Sequence, residues 1–207
     1  SWTTGGATEY DWFVTRDDAG RIMQRTERIG SDTMTWQYGY DAAGRLTDVS
    51  RNGAAVEHYT YDPNGNRLTE DNALRGIAAR SYGYSVEDHV LTAGSDSYVF
   101  DVDGYLQSKT SAAGVTDYYY SSRGELLRSD LPDGRIVTYV HDPMGRRIAK
   151  QVNGTTVEKY LWADRTTLLA VYDGNDNLLQ RYTYADARMP VSMAAGGATY
   201  HLLTDQV

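Results

Sequence analysis

Tyr59-Thr60-Tyr61-Asp62-Pro63-Asn64-Gly65-Asn66-Arg67-Leu68 is the stretch of sequence that decides the fold. Two tyrosines in alternate positions precede an aspartate, a glycine-containing turn and a new apolar run. The pattern returns along the chain, with the first tyrosine of successive units at positions 38, 59, 82, 98, 118, 139, 160, 182 and 200. A period of roughly 20 residues indicates a repeat architecture built from one small supersecondary unit.

Each unit contains two apolar runs and two turn signals, which predicts a β-hairpin. Tyr59 and Tyr61 are two residues apart, so both rings lie on one face of a strand. Asp62-Pro63-Asn64-Gly65 predicts a turn, because proline presets φ and glycine accepts the left-handed conformation. Asn52-Gly53 predicts a type I′ hairpin turn. Similar pairs occupy its place in other units: Gly94-Ser95, Ala113-Gly114, Asp133-Gly134 and Asn153-Gly154.

The predicted fold is all-β, an antiparallel meander of about nine hairpins that curls into a shell segment or a small barrel. The continuity of the repeat favours one domain over residues 1–207. From the alternation, we expect the aromatic face to form the interior and a face of Thr, Ser, Arg and Glu to form the exterior. No window has the apolar spacing of a helix, although residues 71–80 could form a single turn before Gly76.

The residues that define the repeat are aromatic or turn-forming and recur at equivalent positions. We expect them to be Tyr38, Tyr40, Asp41, Gly44, Tyr59, Tyr61, Asp62, Gly65, Asp101, Gly104, Gly124, Asp142, Gly145, Tyr172 and Asp173.

Composition limits the possible functions. The 207 residues include 18 Tyr, 2 Phe and no Cys, which excludes disulfides, thiolate metal sites and a cysteine nucleophile. The net charge of −8 disfavours nucleic acid binding, for which a clustered basic face is expected. No apolar run is long enough for a membrane-spanning helix.

No motif predicts a catalytic, cofactor-binding or metal-binding site. Asp142-Pro143 falls in the turn position of the repeat, so we expect a turn and no self-cleavage. The segment 173–177 resembles the start of a calcium loop but lacks the required glycine and terminal acidic residue, so it too predicts a turn. The four histidines are scattered among different units.

The quoted motifs resemble the YD repeats of the Rhs family, which also occur in Tc toxin C-components and in teneurins. The stretch 185–207 is similar to the segment near the end of an Rhs core. The resemblance implies a fragment of a larger exported bacterial protein, secreted or at the cell surface. It also implies a non-catalytic shell that encloses a C-terminal toxin, with the rest of the shell and the toxin cargo as partners.

A second hypothesis is a carbohydrate-binding or adhesion module that uses the Tyr-rich face of the sheet. Tyrosine rings could stack on a glycan, and neighbouring Asp and Arg side chains could hydrogen-bond it. We also expect an isolated open arc of strands to self-associate, because it would leave unpaired strand edges and an exposed aromatic face.

Overall fold

Short antiparallel strands joined by tight turns make up nearly all of the chain. The computed structural model describes residues 2–4, 7–186 and 189–202. The chain forms two compact units, residues 1–97 and 98–207, and each is described by itself. A single domain over residues 1–207 stays a prediction.

In the first unit each strand pairs with the next one along the chain, always antiparallel. The strands are β1 (Trp2–Thr4), β2 (Ala7–Arg16), β3 (Ile22–Ile29), β4 (Asp32–Tyr40), β5 (Leu46–Arg51), β6 (Ala54–Tyr61), β7 (Arg67–Asn72), β8 (Ile77–Tyr84), β9 (Val90–Ala93) and β10 (Asp96–Phe100), whose last residues belong to the second unit.

The second unit continues the same pattern, with each strand from β11 to β20 paired antiparallel to the next. Its strands are β11 (Leu106–Ser111), β12 (Gly114–Tyr120), β13 (Leu126–Asp130), β14 (Ile136–His141), β15 (Arg147–Val152), β16 (Thr155–Trp162), β17 (Leu168–Asp173), β18 (Leu178–Tyr184), β19 (Pro190–Ala195) and β20 (Ala198–His201). The prediction of an all-β antiparallel meander is confirmed.

The Asn-Gly turns have the predicted conformation. Asn52 and Gly53 have φ values of 51° and 81°, as a type I′ turn requires. The Asn52 side chain also accepts a hydrogen bond from the Thr35 backbone N–H (2.8 Å), which ties the turn to the adjacent strand β4. Asp133-Gly134 differs, because it lies within a longer turn closed by a hydrogen bond from Leu131 N to Arg135 O (2.9 Å).

One helical turn interrupts the strands of the first unit, at Ala73–Arg75. It is a 3-10 turn in which the Asn72 side chain accepts a hydrogen bond from the Arg75 backbone N–H (3.0 Å). Gly76 ends it in the left-handed conformation (φ 65°). The expectation of a single turn before Gly76 is confirmed.

The face that carries the motif tyrosines, here called the ring face, is the more buried one in each unit. In the first unit its most buried residues are Val49, Tyr59, Glu70, Asn72 and Ala93. In the second unit they include Ser129, Val137 and Val171, although Ala170, which is still more buried, lies on the opposite face. The predicted aromatic interior therefore corresponds to the better-covered face of each sheet.

The expected position of Arg and Glu on the opposite face is wrong for several of these residues, although Arg128 and Arg181 do lie there. Tyr59 lies directly opposite Glu70, and Trp36 opposite Arg25, so these charged side chains share the ring face. The opposite face carries pairs such as Thr60 and Thr69, as expected. The physical reason is that tyrosine offers a hydroxyl to carboxylates and a π-face to guanidinium groups, so charged partners lie beside the rings.

Candidate functional site: the Tyr-Asp turns and the ring face

The aspartate of each motif closes its turn with both backbone and side chain. The Asp41 backbone N–H donates to Arg45 O (3.0 Å), and Gly44 N–H donates to Asp41 O (3.0 Å). The Asp41 carboxylate accepts from the Arg45 backbone N–H (2.9 Å) and from its Nε (2.7 Å). These bonds, led by that of the backbone N–H, hold the pKa of Asp41 below its ordinary value.

The same turn recurs in both units. Asp17 and Asp142 hold Arg21 and Arg146 in this way, each with an Nε to carboxylate distance of 2.7 Å. Asn66 takes the place of the arginine beside Asp62. Asp101, Ser85 and Ser121 complete the series, with carboxylate or hydroxyl oxygens that accept from the backbone of the turn.

In several motifs the second aromatic residue links its unit to the preceding one. The Tyr61 hydroxyl donates to the backbone carbonyl of Leu46 at 2.6 Å. Leu46 is opposite Tyr40, at the point where the register between β4 and β5 shifts. Such a β-bulge disrupts the ladder locally, and the hydroxyl from the next unit satisfies the carbonyl at this point.

Among the described residues this link is present in five places, at 2.6 to 2.8 Å. Its donor and acceptor pairs are Tyr40 to Ile22, Tyr61 to Leu46, Tyr84 to Arg67, Trp162 Nε1 to Arg147 and Tyr184 to Leu168. We call these contacts the ring-to-carbonyl links. Successive hairpins are thus joined by side chains as well as by the strand ladder.

The arginine that follows the motif glycine adds a second connection between units. Arg45 binds Asp41 in its own turn and donates from Nη1 to the backbone carbonyl of Asp62 in the next turn (2.6 Å). Its guanidinium also lies over the Tyr61 ring, 4.8 Å from the centroid. In the second unit, Arg146 reaches Asp164 O in the same way (2.9 Å).

In several motifs the first tyrosine donates to a polar residue two positions earlier on its own strand. Tyr59 donates to Glu57 at 2.6 Å, Tyr160 to Glu158, and Tyr182 to Gln180 at 2.8 Å. Burial and the hydrogen bond to a carboxylate raise the pKa of Tyr59 to about 12, and the same causes raise the pKa of Tyr160 to about 12.

Glu70 is the centre of a buried ionic cluster in the first unit. Its side chain is 1% exposed and accepts hydrogen bonds from Tyr82 and from Arg80 Nη2 (3.0 Å). Arg67 and Arg75 lie 3.4 and 3.6 Å from the other carboxylate oxygen. Burial by itself would raise the pKa of Glu70, but these donors and positive charges outweigh it, so the pKa is lowered.

Sequence reasoning did not single out Glu70. A usable signal was present, because alternation places it on the same face as Arg80 and directly across from Tyr59. A glutamate on a ring-bearing face, with arginines three and five residues away, indicates a buried ion pair.

Most of the predicted repeat-defining residues occupy equivalent places. The tyrosines at 38, 40, 59 and 61 lie on the ring face of β4 and β6, just before the Tyr-Asp turns. The turn residues Asp41, Gly44, Asp62, Gly65, Asp101, Gly104, Gly124, Asp142 and Gly145 all lie in those turns.

Tyr172 and Asp173 are placed differently. Tyr172 lies opposite Lys159, on the face opposite the rings, and Asp173 ends the odd-numbered strand β17. The Tyr-Asp turns follow even-numbered strands, so Asp173 lies in the series of turns that includes Asn153-Gly154. Tyr172-Asp173 therefore has the same two residue types as the motif, but it lies at the end of the strand that does not carry the motif.

The 173–177 segment is a turn, as predicted. The Asp173 carboxylate accepts from the backbone N–H groups of Asn175 and Asn177 and from the Asn177 amide, at 2.8 to 2.9 Å. Within the described ranges, no three His, Asp or Glu side chains are grouped so that they could hold a metal ion. None of the described helical residues forms a span long and apolar enough to cross a membrane. The predicted end-of-core segment 185–207 lies partly outside the described residues, at 187–188 and 203–207.

Comparison with known proteins identifies the repeat. The Teneurin YD-shell family model matches residues 2–207. Mouse Teneurin-4 is 30% identical over 162 residues, which cover 76% of this chain and 6% of that protein. The probable deoxyribonuclease RhsB of Dickeya dadantii is 35% identical over 192 residues, or 77% of this chain and 13% of that protein.

A solved structure shares the fold. In a structure of the Photorhabdus luminescens Tc holotoxin pore, 13% of the matched chain aligns with 89% of this one, with 15% sequence identity and a TM-score of 0.50. The chain spans only a small part of these larger proteins. The resemblance of the Tyr-Asp units to YD repeats is confirmed, and the chain belongs to the Teneurin YD-shell family.

Proposed function

We propose that this chain is a non-catalytic wall segment of a YD shell that encloses a C-terminal toxin within a larger bacterial protein. The parent would be exported, and either secreted or displayed at the cell surface. Two bacterial relatives support this proposal, RhsB and the tRNA nuclease WapA of Bacillus subtilis. Their names describe nucleases, while the matched part is 13% and 6% of each protein.

The observation that carries the proposal is the series of ring-to-carbonyl links. Five of them join successive hairpins at 2.6 to 2.8 Å, and arginines such as Arg45 add connections between neighbouring turns. The repeat residues are thus used to hold one strand pair to the next. This is the arrangement expected of a continuous wall, whose function is to cover an area.

The partners under this proposal are the remainder of the parent shell and its toxin cargo. Strand edges that end an isolated segment would pair with further strands of the parent. In the absence of the parent, the same edges would favour self-association. Sedimentation velocity over a concentration series tests this, since a monodisperse monomer at high concentration would contradict it.

The carbohydrate-binding alternative has less support from the ring face. Several rings lie under guanidinium groups, such as Tyr139 under Arg147 (4.0 Å) and Tyr59 under Arg67 (4.4 Å). The hydroxyls of Tyr59 and Tyr61 donate within the sheet. A glycan would have to displace these contacts. A glycan array probed with the wild-type chain and with Tyr→Ala variants separates the two proposals, because a wall segment binds no glycan and loses stability.

Limited proteolysis of the parent protein tests the enclosure. The expected result is that the C-terminal cargo resists protease in the intact parent and is cleaved rapidly when expressed alone. Addition of denaturant should remove the protection at the concentration that unfolds the YD repeats. Equal cleavage rates for the free and the attached cargo would contradict the proposal.

A further inference from the structure

In the described part of the second unit, Trp162 and Tyr184 make ring-to-carbonyl links, whereas Tyr120 and His141 make none. This histidine precedes Asp142 and occupies the position that Tyr61 has before Asp62. An imidazole is shorter than a phenol, and its Nδ1 atom is buried without a hydrogen-bond partner among the described residues. The side chain that would join this unit to the preceding one is therefore replaced by a shorter group with an unused polar atom.

A cleft of about 760 Å³ lies beside His141. Trp162 and Leu168 supply its apolar wall, and Arg147 and Arg165 bring positive charge to it. The volume is within the range of sites that hold small ligands or peptide side chains. The Nε atom of Arg147 is buried and, like His141 Nδ1, has no hydrogen-bond partner in the described part of the chain.

Arg165 is a positive charge of this cleft that has no ion-pair partner among the described residues. It lies in the turn 163–167, which lacks the Asp-to-Arg pair that the turns at Asp17, Asp41 and Asp142 have, and its side chain is exposed. Within the described ranges, its guanidinium makes no hydrogen bond or ion pair. In contrast, the neighbouring Arg146 is paired with Asp142 at 2.6 Å.

A second cleft of about 550 Å³ extends the first one along the turns. The two share Met144, Gly145 and Arg165, and the second is completed by Arg123, Glu125 and Pro143. Arg123 is paired with Glu125 at 2.8 Å, so among the described residues Arg165 is the unpaired arginine that lines both clefts. We call the two clefts together the His141 groove. Because the two clefts adjoin at shared residues, an extended chain can reach from one into the other.

We propose that the His141 groove binds an extended peptide in which a carboxylate side chain neighbours an aromatic or aliphatic one. Arg165 takes the carboxylate, since a guanidinium and a carboxylate form charge-assisted, often bidentate hydrogen bonds. The apolar side chain enters the cleft between Trp162 and Leu168, beside the His141 ring. This site does not depend on the proposed enclosure of a toxin, and either can fail without the other.

The test uses the purified chain and two acetylated, amidated peptides, Gly-Glu-Phe-Gly and its counterpart with Gln in place of Glu. Isothermal titration calorimetry at low salt should show submillimolar binding of the Glu peptide and about tenfold weaker binding of the Gln peptide. Arg165→Gln should remove this difference. The matched control is Arg135→Gln, which changes an exposed turn arginine outside the groove and should leave both affinities unchanged.

A filling variant tests the cleft itself. His141→Tyr places in the cleft the ring found in other units, so it should abolish peptide binding while the melting temperature stays the same or rises. Equal binding of the two peptides, unchanged binding in Arg165→Gln, or no binding at millimolar peptide would overturn the proposal. Phenylacetate that binds as tightly as the Glu peptide would also overturn it, by showing a subsite for small carboxylates only.

Discussion

The hydroxyl of Tyr61 donates a 2.6 Å hydrogen bond to the backbone carbonyl of Leu46, which lies opposite Tyr40 in the preceding hairpin. The tyrosine hydroxyl therefore provides a hydrogen-bond donor for a backbone carbonyl at the register shift in the preceding hairpin. The tyrosine of one unit bonds to the backbone beside the turn of the preceding unit, and this explains why the two features recur together.

Tyr61→Phe should destabilise the chain by about 1 to 2 kcal/mol, because it leaves the Leu46 carbonyl without its partner while the ring remains. Tyr118→Phe is the matched control, since Tyr118 lies on the ring face and its hydroxyl makes no hydrogen bond within the described part of the chain. The control should change the free energy of unfolding by less than about 0.5 kcal/mol. Urea denaturation measures both, and equal effects of the two variants would contradict the role of the link.

Glu70→Gln should destabilise the first unit by about 3 kcal/mol. The substitution removes the buried negative charge and leaves Arg67, Arg75 and Arg80 close together without compensation. Asp133→Asn, which removes an exposed partner of Arg135, should have no resolvable effect. Thermal and urea unfolding measure the stability of both variants. An unchanged free energy of unfolding in Glu70→Gln would show that the cluster is not a net source of stability.

The lowered pKa of Glu70 also predicts an acid dependence. A carboxyl with a depressed pKa in the folded state stabilises the fold above its unfolded pKa, and this contribution is lost as pH falls through the folded pKa. The free energy of unfolding should therefore decline below about pH 4.5. The decline should be shallower in Glu70→Gln, and identical acid profiles for the two proteins would refute the assignment.

Two tyrosines predict a loss of stability at alkaline pH. The pKa of Tyr59 and that of Tyr160 are each raised to about 12, so both stay protonated in the folded chain after unfolded tyrosines ionise near pH 10. Their contribution is fully present below about pH 10 and is lost as pH rises towards 12. Urea midpoints between pH 8 and 11.5 measure it. The double variant Tyr59→Phe/Tyr160→Phe should lose less stability across this range than wild type, and an equal loss would rule the effect out.

The Asn-Gly turn allows conformational strain to be separated from hydrogen bonding. Asn153 has φ 50° and accepts a hydrogen bond from the Ile136 N–H at 2.8 Å. Asn153→Gly and Asn153→Ala both lose that bond, but only alanine meets the steric cost of positive φ. The alanine variant should be less stable than the glycine variant by about 1 kcal/mol. Equal urea midpoints for the two would show that the turn relaxes to another conformation.

The strands and turns were predictable because their signals are local. Asn52-Gly53 specifies its own φ values, and Asp62 to Asn66 contains every group that closes its turn. The ring-to-carbonyl links were not predictable, because they depend on a register shift between strands of neighbouring hairpins. The alternation of residues along β7 could have placed Glu70 on the ring face, but charged residues were expected on the exterior face. Tyr172-Asp173 shows the limit of a dipeptide signal, because its place in the hairpin decides its role.

The orientation of the ring face in the parent protein is the most direct test of the proposed wall. A cryo-electron microscopy map of the parent should show these strands edge to edge within a larger sheet, with cargo density on the side of Tyr59 and Tyr139. Cargo on the side of Thr60 and Val140, or strands of this chain apart from any enclosing sheet, would contradict the proposal.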